Sequence, residues 1–147
     1  MKNFTKGEKR MKRNIVAIDS SCLIALQADE ELANKIKQKL HESWDAYCSE
    51  MAILETQYVL CRKKSFKIAS KKISALIGSN VIQIVPIKDL LENASKLKCK
   101  RSIAIADCLT IALAEKLNTK AIFYQQEREL KDAIEKKPFK VKIEFLT

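Results

Sequence analysis

Glycine and proline are nearly missing from this chain, with two of each in 147 residues. These residues punctuate most turns, so loops should be short and helix content high. Histidine occurs once, as His41, at the end of a polar helical stretch and so expected in solvent. That removes histidine general-base chemistry, and with it the serine and cysteine triads. The five cysteines include no C-x-x-C pair, and no histidine stands near enough in sequence to complete a zinc motif. Cys22, Cys61 and Cys108 lie in apolar stretches and read as small core residues of a reduced, intracellular protein.

Long apolar runs are missing too. No stretch approaches the roughly 20 residues of a membrane span. The basic start MKNFTKGEKRMKRN runs into IVAI and then breaks at Asp19, which is too short an apolar region for a signal peptide. We expect a cytoplasmic chain without a membrane partner, built as a flexible basic arm over 1–14 and a single domain over 15–147. That length buries a core without disulfides or a structural metal.

What the chain has in excess is positive charge. Lys and Arg total 28 against 18 Asp and Glu, a formal net charge of +10. The balance points toward phosphate-rich partners, nucleic acid above all, although a lysine-rich solvated surface has the same composition.

The apolar pattern gives the order of elements. IVAI at 15–18 is a short β-branched run and reads as a buried strand, with Ser20 and Ser21 as caps for a helix to Gln27. Leu32, Ile36 and Leu40 recur every four residues and predict a helix over 29–40, and WDAYC at 44–48 alternates as a strand does. Ser49 opens a further helix carrying Glu55. The next helix, 66–77, is expected to close on Gly78. Strand VIQIV at 81–85, helices over 88–100 and 102–117, strand KAIFY at 120–124, helix QERELKDAIEKK and strand VKIEFL at 141–146 complete the chain. Short apolar strands alternating with helices imply parallel βαβ units. The expected fold is a three-layer α/β/α sandwich around a mostly parallel sheet.

Four acids stand in or beside apolar stretches: Asp19 after IVAI, Glu55 in SEMAILETQYVL, Asp107 in IAIADCLTIALA, and Glu127 past KAIFY. Open parallel sheets bind ligands beyond the carboxyl ends of their strands, where Asp19 and Glu127 belong. Glu55 and Asp107 approach from helices, Asp107 near a helix start where the macrodipole favours a negative charge. Singly, each acid also reads as a helix cap, an ion-pair partner or a solvated first-turn residue. Together they would repel one another without a cation. Oxygen-only ligands suit Mg²⁺ or Mn²⁺.

In these residues the chain resembles the PIN-domain family of nucleases, particularly the small stand-alone type that includes VapC-like toxins. The likeness spans most of 15–147 and lies in VAIDSSCLIAL, SEMAILETQYVL and IAIADCLTIALAEKLNTKAIFY. The resemblance implies a metal-dependent endoribonuclease in which Asp19, Glu55 and Asp107 hold Mg²⁺ or Mn²⁺ and Ser21 supports Asp19. It also implies RNA as substrate, an acidic antitoxin peptide as partner, and a homodimer. The fourth motif departs from the family's Thr or Ser, one residue, then Asp: here Tyr124 is followed by Gln125, Gln126 and Glu127. Glu127 substitutes with a longer arm, Gln126 serves as a neutral ligand, or the site is partly degenerate. The last option makes the chain an RNA-binding or assembly module with weakened or lost cleavage. Lys12, Arg13, Arg62, Lys63, Lys64 and Arg101 are candidates to hold the RNA backbone. A receiver-like α/β protein also binds Mg²⁺ at strand ends, but its paired acids after the first strand and its lysine after the fifth are missing here.

Overall fold

The structure, a computed structural model, describes residues 12–147. Of the basic arm expected over 1–14, residues 1–11 lie outside the described residues. Arg13 is built into the fold. Its guanidinium pairs with Asp45 at 2.8 Å and donates to the carbonyls of Leu40, His41 and Trp44, each at 2.7 Å. Asn14 already opens the first strand.

Among the described residues five strands form the sheet: β1 (Asn14–Ile18), β2 (Trp44–Ser49), β3 (Ile82–Val85), β4 (Ala121–Phe123) and β5 (Ile143–Phe145). Every pairing is parallel and the spatial order is β3-β2-β1-β4-β5. The chain winds outward one way from β1 through β2 to β3, then returns to the other side of β1 for β4 and β5. The carboxyl ends of β1 and β4 therefore frame the reversal point, where a parallel sheet leaves a crevice.

Among the described residues seven helices cover the sheet: α1 (Ser20–Gln27), α2 (Ala33–Glu42), α3 (Glu50–Lys63), α4 (Phe66–Gly78), α5 (Leu91–Lys100), α6 (Ile105–Leu117) and α7 (Arg128–Lys136). Successive strand residues face opposite layers. Val16 and Ile18 join one apolar cluster with Ile122 and residues of α1, α2 and α4, while Ala17, Ala121 and Phe123 join a second with α6 and Leu130 of α7. These two clusters are the two cores of a three-layer sandwich. Cys108 to Leu113 of α6 are buried without a break, and Ala112 and Ala114 let the helix approach the sheet closely.

Several boundaries differ from the sequence expectation for local reasons. The helix expected from residue 29 starts at Ala33, because Asp29 adopts φ +53 and turns the chain out of α1. Gly78 is the last residue of α4, and the left-handed residue after it is Asn80, at φ +57. Asparagine tolerates that conformation through local side-chain bonding. A 3-10 turn at Ile87–Leu90 precedes α5, and α6 begins at Ile105 after Ala104 in place of Ser102. Of the cysteines read as core, Cys22 and Cys108 are buried but Cys61 is only half-buried, and none is disulfide-bonded. No helix among the described residues is long and apolar enough to cross a membrane.

Candidate active site

Asp19 leaves β1 in extended conformation, φ −82 and ψ 159, and caps α1. One carboxylate oxygen accepts from the Ser21 backbone N–H at 3.0 Å, which satisfies a helix donor that would otherwise lack a partner. The other accepts from the Thr110 hydroxyl, also at 3.0 Å. The residue is 6 % exposed. Burial pushes its pKa up, and the bonds from Ser21, Thr110 and Ser20 hold that rise in check.

Glu55 arrives on α3, whose start is fixed by Ser49 accepting from the Ala52 N–H at 3.2 Å. The Ser20 hydroxyl donates to Glu55 at 3.1 Å, so the first turn of α1 grips the acid from the neighbouring helix. Partial burial raises the Glu55 pKa, the Ser20 bond opposes the rise, and the charges of Asp19 and Glu127 add to it. Asp107 lies in the first turn of α6. Its pKa is pushed up to about 7, first by burial and then by the charges of Asp19, Glu127, Glu55 and Glu129. Carboxylates from three distant parts of the chain thus act on one position.

Glu127 caps α7 with no side-chain hydrogen bond to the helix and is exposed, yet its charge reaches both Glu55 and Asp107. Gln126 is exposed beside it, on the loop from β4. The Ser21 hydroxyl accepts from the Tyr124 N–H at 3.0 Å, which ties the turn after β1 to the end of β4. This small residue, two positions after Asp19, therefore holds the crevice walls together. Thr110 was not singled out in the sequence. The available signal was its place three residues after Asp107, on the same face of an apolar helix where a hydroxyl needs a partner. Ser20, read only as a cap, is the partner of Glu55.

Among the described residues no three His, Cys, Asp or Glu side chains are gathered closely enough to form a finished ion cage. The donor chemistry nonetheless fits a hard divalent ion. The facing groups are carboxylates and hydroxyls, and the acids disfavour one another's charge, which a cation relieves.

The basic residues have varied engagements. Arg62 lies over the Tyr58 ring at 5.5 Å, Lys63 is 3.7 Å from Glu30, and Lys64 is exposed just past α3. Lys12 is exposed. Arg101 is the most committed. Its guanidinium stacks 3.9 Å over Phe139 and donates to the carbonyls of Ala133, Lys137 and Pro138. It fastens the end of α7, and most of its donors are used there.

The model of the PIN domain matches residues 16–134. The chain belongs to the PIN-domain family. The matched span contains all four acids: Asp19 at the end of β1, Glu55 on α3, Asp107 on α6 and Glu127 at the start of α7. No curated protein matches the chain as a relative. Among solved structures, it resembles VapC20 from Mycobacterium tuberculosis, described as a toxin cleaving the sarcin-ricin loop. The TM-score is 0.64 and the identity 21 %, with 82 % of this chain and 95 % of that one covered. It also resembles VapBC2 from Rickettsia felis, solved with a DNA fragment from its promoter, with TM-score 0.61 and identity 16 %, covering 90 % and 98 %. A toxin-antitoxin complex from Klebsiella pneumoniae aligns with TM-score 0.57 and identity 17 %, covering 80 % and 90 %. At such identities the likeness to these structures is one of fold.

Proposed function

We propose that this PIN domain is a Mg²⁺- or Mn²⁺-dependent endoribonuclease that hydrolyses RNA phosphodiester bonds, as the toxin of a toxin-antitoxin pair. The observation that carries the reading is the meeting of Asp19, Glu55 and Asp107 at the sheet's reversal point, each with a pKa raised by burial and the last two also by neighbouring acids. Asp19, Glu55 and Asp107 would hold the ion, with Glu127 or Gln126 at the fourth position. When bound, such an ion lowers the pKa of a water and offsets charge on a phosphodiester.

The chain's own residues prepare that site. Thr110 and the Ser21 N–H fix both oxygens of Asp19, and Ser20 orients Glu55. Asp107, its pKa pushed up to about 7 by burial and by four neighbouring acids, is the carboxylate whose charge a bound cation would relieve most. Looped or single-stranded RNA is the favoured substrate, since its unstacked bases are reachable, and a fold relative described as cleaving the sarcin-ricin loop supports a looped target.

The antitoxin belongs to the same proposal. An apolar groove between α3 and α4 is lined by Leu54, Tyr58, Phe66 and Ile77, all large hydrophobic residues 45–65 % exposed. Glu50 also lines the groove, Arg62 lies over its Tyr58 ring, and exposed Lys64 and Lys67 flank Phe66 in sequence, a balance that suits an acidic amphipathic segment. A solved toxin-antitoxin complex of the same fold supports such a partner. Self-association to a homodimer is expected alongside, and light scattering of the purified chain tests it.

One observation favours the second reading, a PIN module that binds RNA without cutting it. Glu127 is exposed and its side chain makes no capping bond, so the fourth corner is the least fixed. Incubating RNA with wild type, Asp19→Asn and Asp107→Asn, with Mg²⁺ or Mn²⁺ and with EDTA, separates the two. Cleavage that survives EDTA and both substitutions overturns the metal-nuclease reading. Binding without any cleavage by wild type establishes the second.

A further inference from the structure

A second cleft lies beside the acids, on the face of the sheet covered by α5, α6 and α7. It has a volume of about 770 Å³ and runs between α5, Arg101 and Ser102, and α7 with the segment after it, and a smaller pocket over 98–104 adjoins it, sharing Lys100, Arg101, Ser102 and Glu129. Lys96, Lys100, Lys136, Lys137 and Lys140 line it, against Glu115, Glu129 and Asp132. Asp132 already faces Arg128 at 4.0 Å, and Lys96 faces Glu92 at 3.4 Å. Lys100, Lys136, Lys137 and Lys140 are exposed, and none has an ion-pair partner among the described residues. Four free ammonium groups along one cleft outnumber its two unpaired carboxylates, Glu115 and Glu129, a balance that suits a repeating anion.

The cleft adjoins the acid site. Glu129 lines it and is also one of the carboxylates whose charge raises the Asp107 pKa. Its loop wall, Arg101 to Ala104, leads directly into α6 and Asp107. Its other wall is α7, which Glu127 caps. Arg101 fixes the width of the cleft by bonding the carbonyls at the end of α7 and covering Phe139.

We propose that this cleft carries the phosphate backbone of the RNA on one side of the cleavage point, with Lys100, Lys136, Lys137 and Lys140 as its phosphate contacts. The inference rests on the endoribonuclease reading for the identity of the polymer. The acids repel phosphate and need a cation at the reaction point, whereas the adjoining cleft attracts phosphate unaided. A strand lying across both has one phosphodiester at the acids and the following phosphates on the lysines.

The test is fluorescence anisotropy of a labelled single-stranded RNA in EDTA, so that binding is read without cleavage. Lys136→Gln/Lys137→Gln/Lys140→Gln is compared with wild type and with Lys35→Gln/Lys37→Gln/Lys71→Gln. The latter removes equal charge from α2 and α4, on the sheet's other face. Each variant is first checked for unchanged thermal unfolding. The cleft variant should bind about tenfold more weakly, with a log-log salt slope smaller by about 2, for three lost contacts to a single strand. The control should retain wild-type affinity. Wild-type affinity and slope in the cleft variant, equal loss in the control, or no RNA binding by wild type would each overturn the proposal. Cleavage is measured separately with Mg²⁺. A wild type that binds through the cleft but does not cut removes the nuclease reading and leaves the cleft standing.

Discussion

Replacing Asp107 with asparagine should make the ion-free protein more stable while abolishing cleavage. The carboxyl pKa rises from 3.8 to about 7 in the fold, through burial first and then four neighbouring acids. Each unit corresponds to about 1.4 kcal/mol, so the charged form bears a penalty of at most about 4 kcal/mol above neutrality. The side chain is half-buried, and water screens part of this, leaving about 1–2 kcal/mol. A native pKa above the unfolded one means that the native state holds the proton more firmly. Its stabilising effect is complete below pH 3.8 and is lost as the pH rises through about 7. The asparagine side chain of the variant has no charge to bury. Its melting temperature in EDTA at pH 8 should exceed that of wild type by about 3–6 °C for a chain of this size. At pH 5 the gain should fall to less than half of that. Saturating Mg²⁺ should raise the wild-type melting temperature more than the variant's, since binding to the native state alone stabilises it. Differential scanning calorimetry in EDTA at both pH values decides the matter. A variant that melts below wild type at pH 8, or a gain unchanged at pH 5, would refute the electrostatic account of this site.

Other substitutions probe separate links. Thr110→Val removes the donor to buried Asp19. Cleavage should fall about tenfold in kcat with little change in KM, at a cost of about 1–2 kcal/mol in urea unfolding, and Thr110→Ser should restore activity. Gly78→Ala places a methyl where nothing lies within 4 Å, inside the last turn of α4. It should stabilise by about 0.5–1 kcal/mol in the same assay, and a loss would contradict the assigned conformation. Arg101→Met should cost about 1–3 kcal/mol by leaving the last carbonyls of α7 unpaired. Hydrogen exchange should show faster opening of α7 specifically.

The layer order and the parallel sheet were legible because IVAI, VIQIV and AIFY are too short and too β-branched for helices, and each is followed by a helical period. Asp19, Glu55 and Asp107 were legible as unusual acids in apolar stretches, and the structure places them where their charges interact. Thr110 was not, because a threonine in an alanine-rich helix acquires meaning only when another element supplies its acceptor. Arg101 was equally opaque. Its sequence neighbours Lys100 and Ser102 suggest a solvated basic loop, whereas its three carbonyl partners lie more than 30 residues away. The start of α2 shifted because the turn before it depends on left-handed Asp29, which nothing in the local pattern announces.

Asp19 has two structural duties, since the carboxylate turned toward Thr110 is also the cap that starts α1. Any truncation there disturbs folding and chemistry together. An alanine variant that lost activity would therefore say little about mechanism. Asparagine keeps a side-chain oxygen for the Ser21 N–H and caps helices about as well as aspartate. It alone separates the charge from the scaffold, and it is the variant on which an inactive but intact protein should be built.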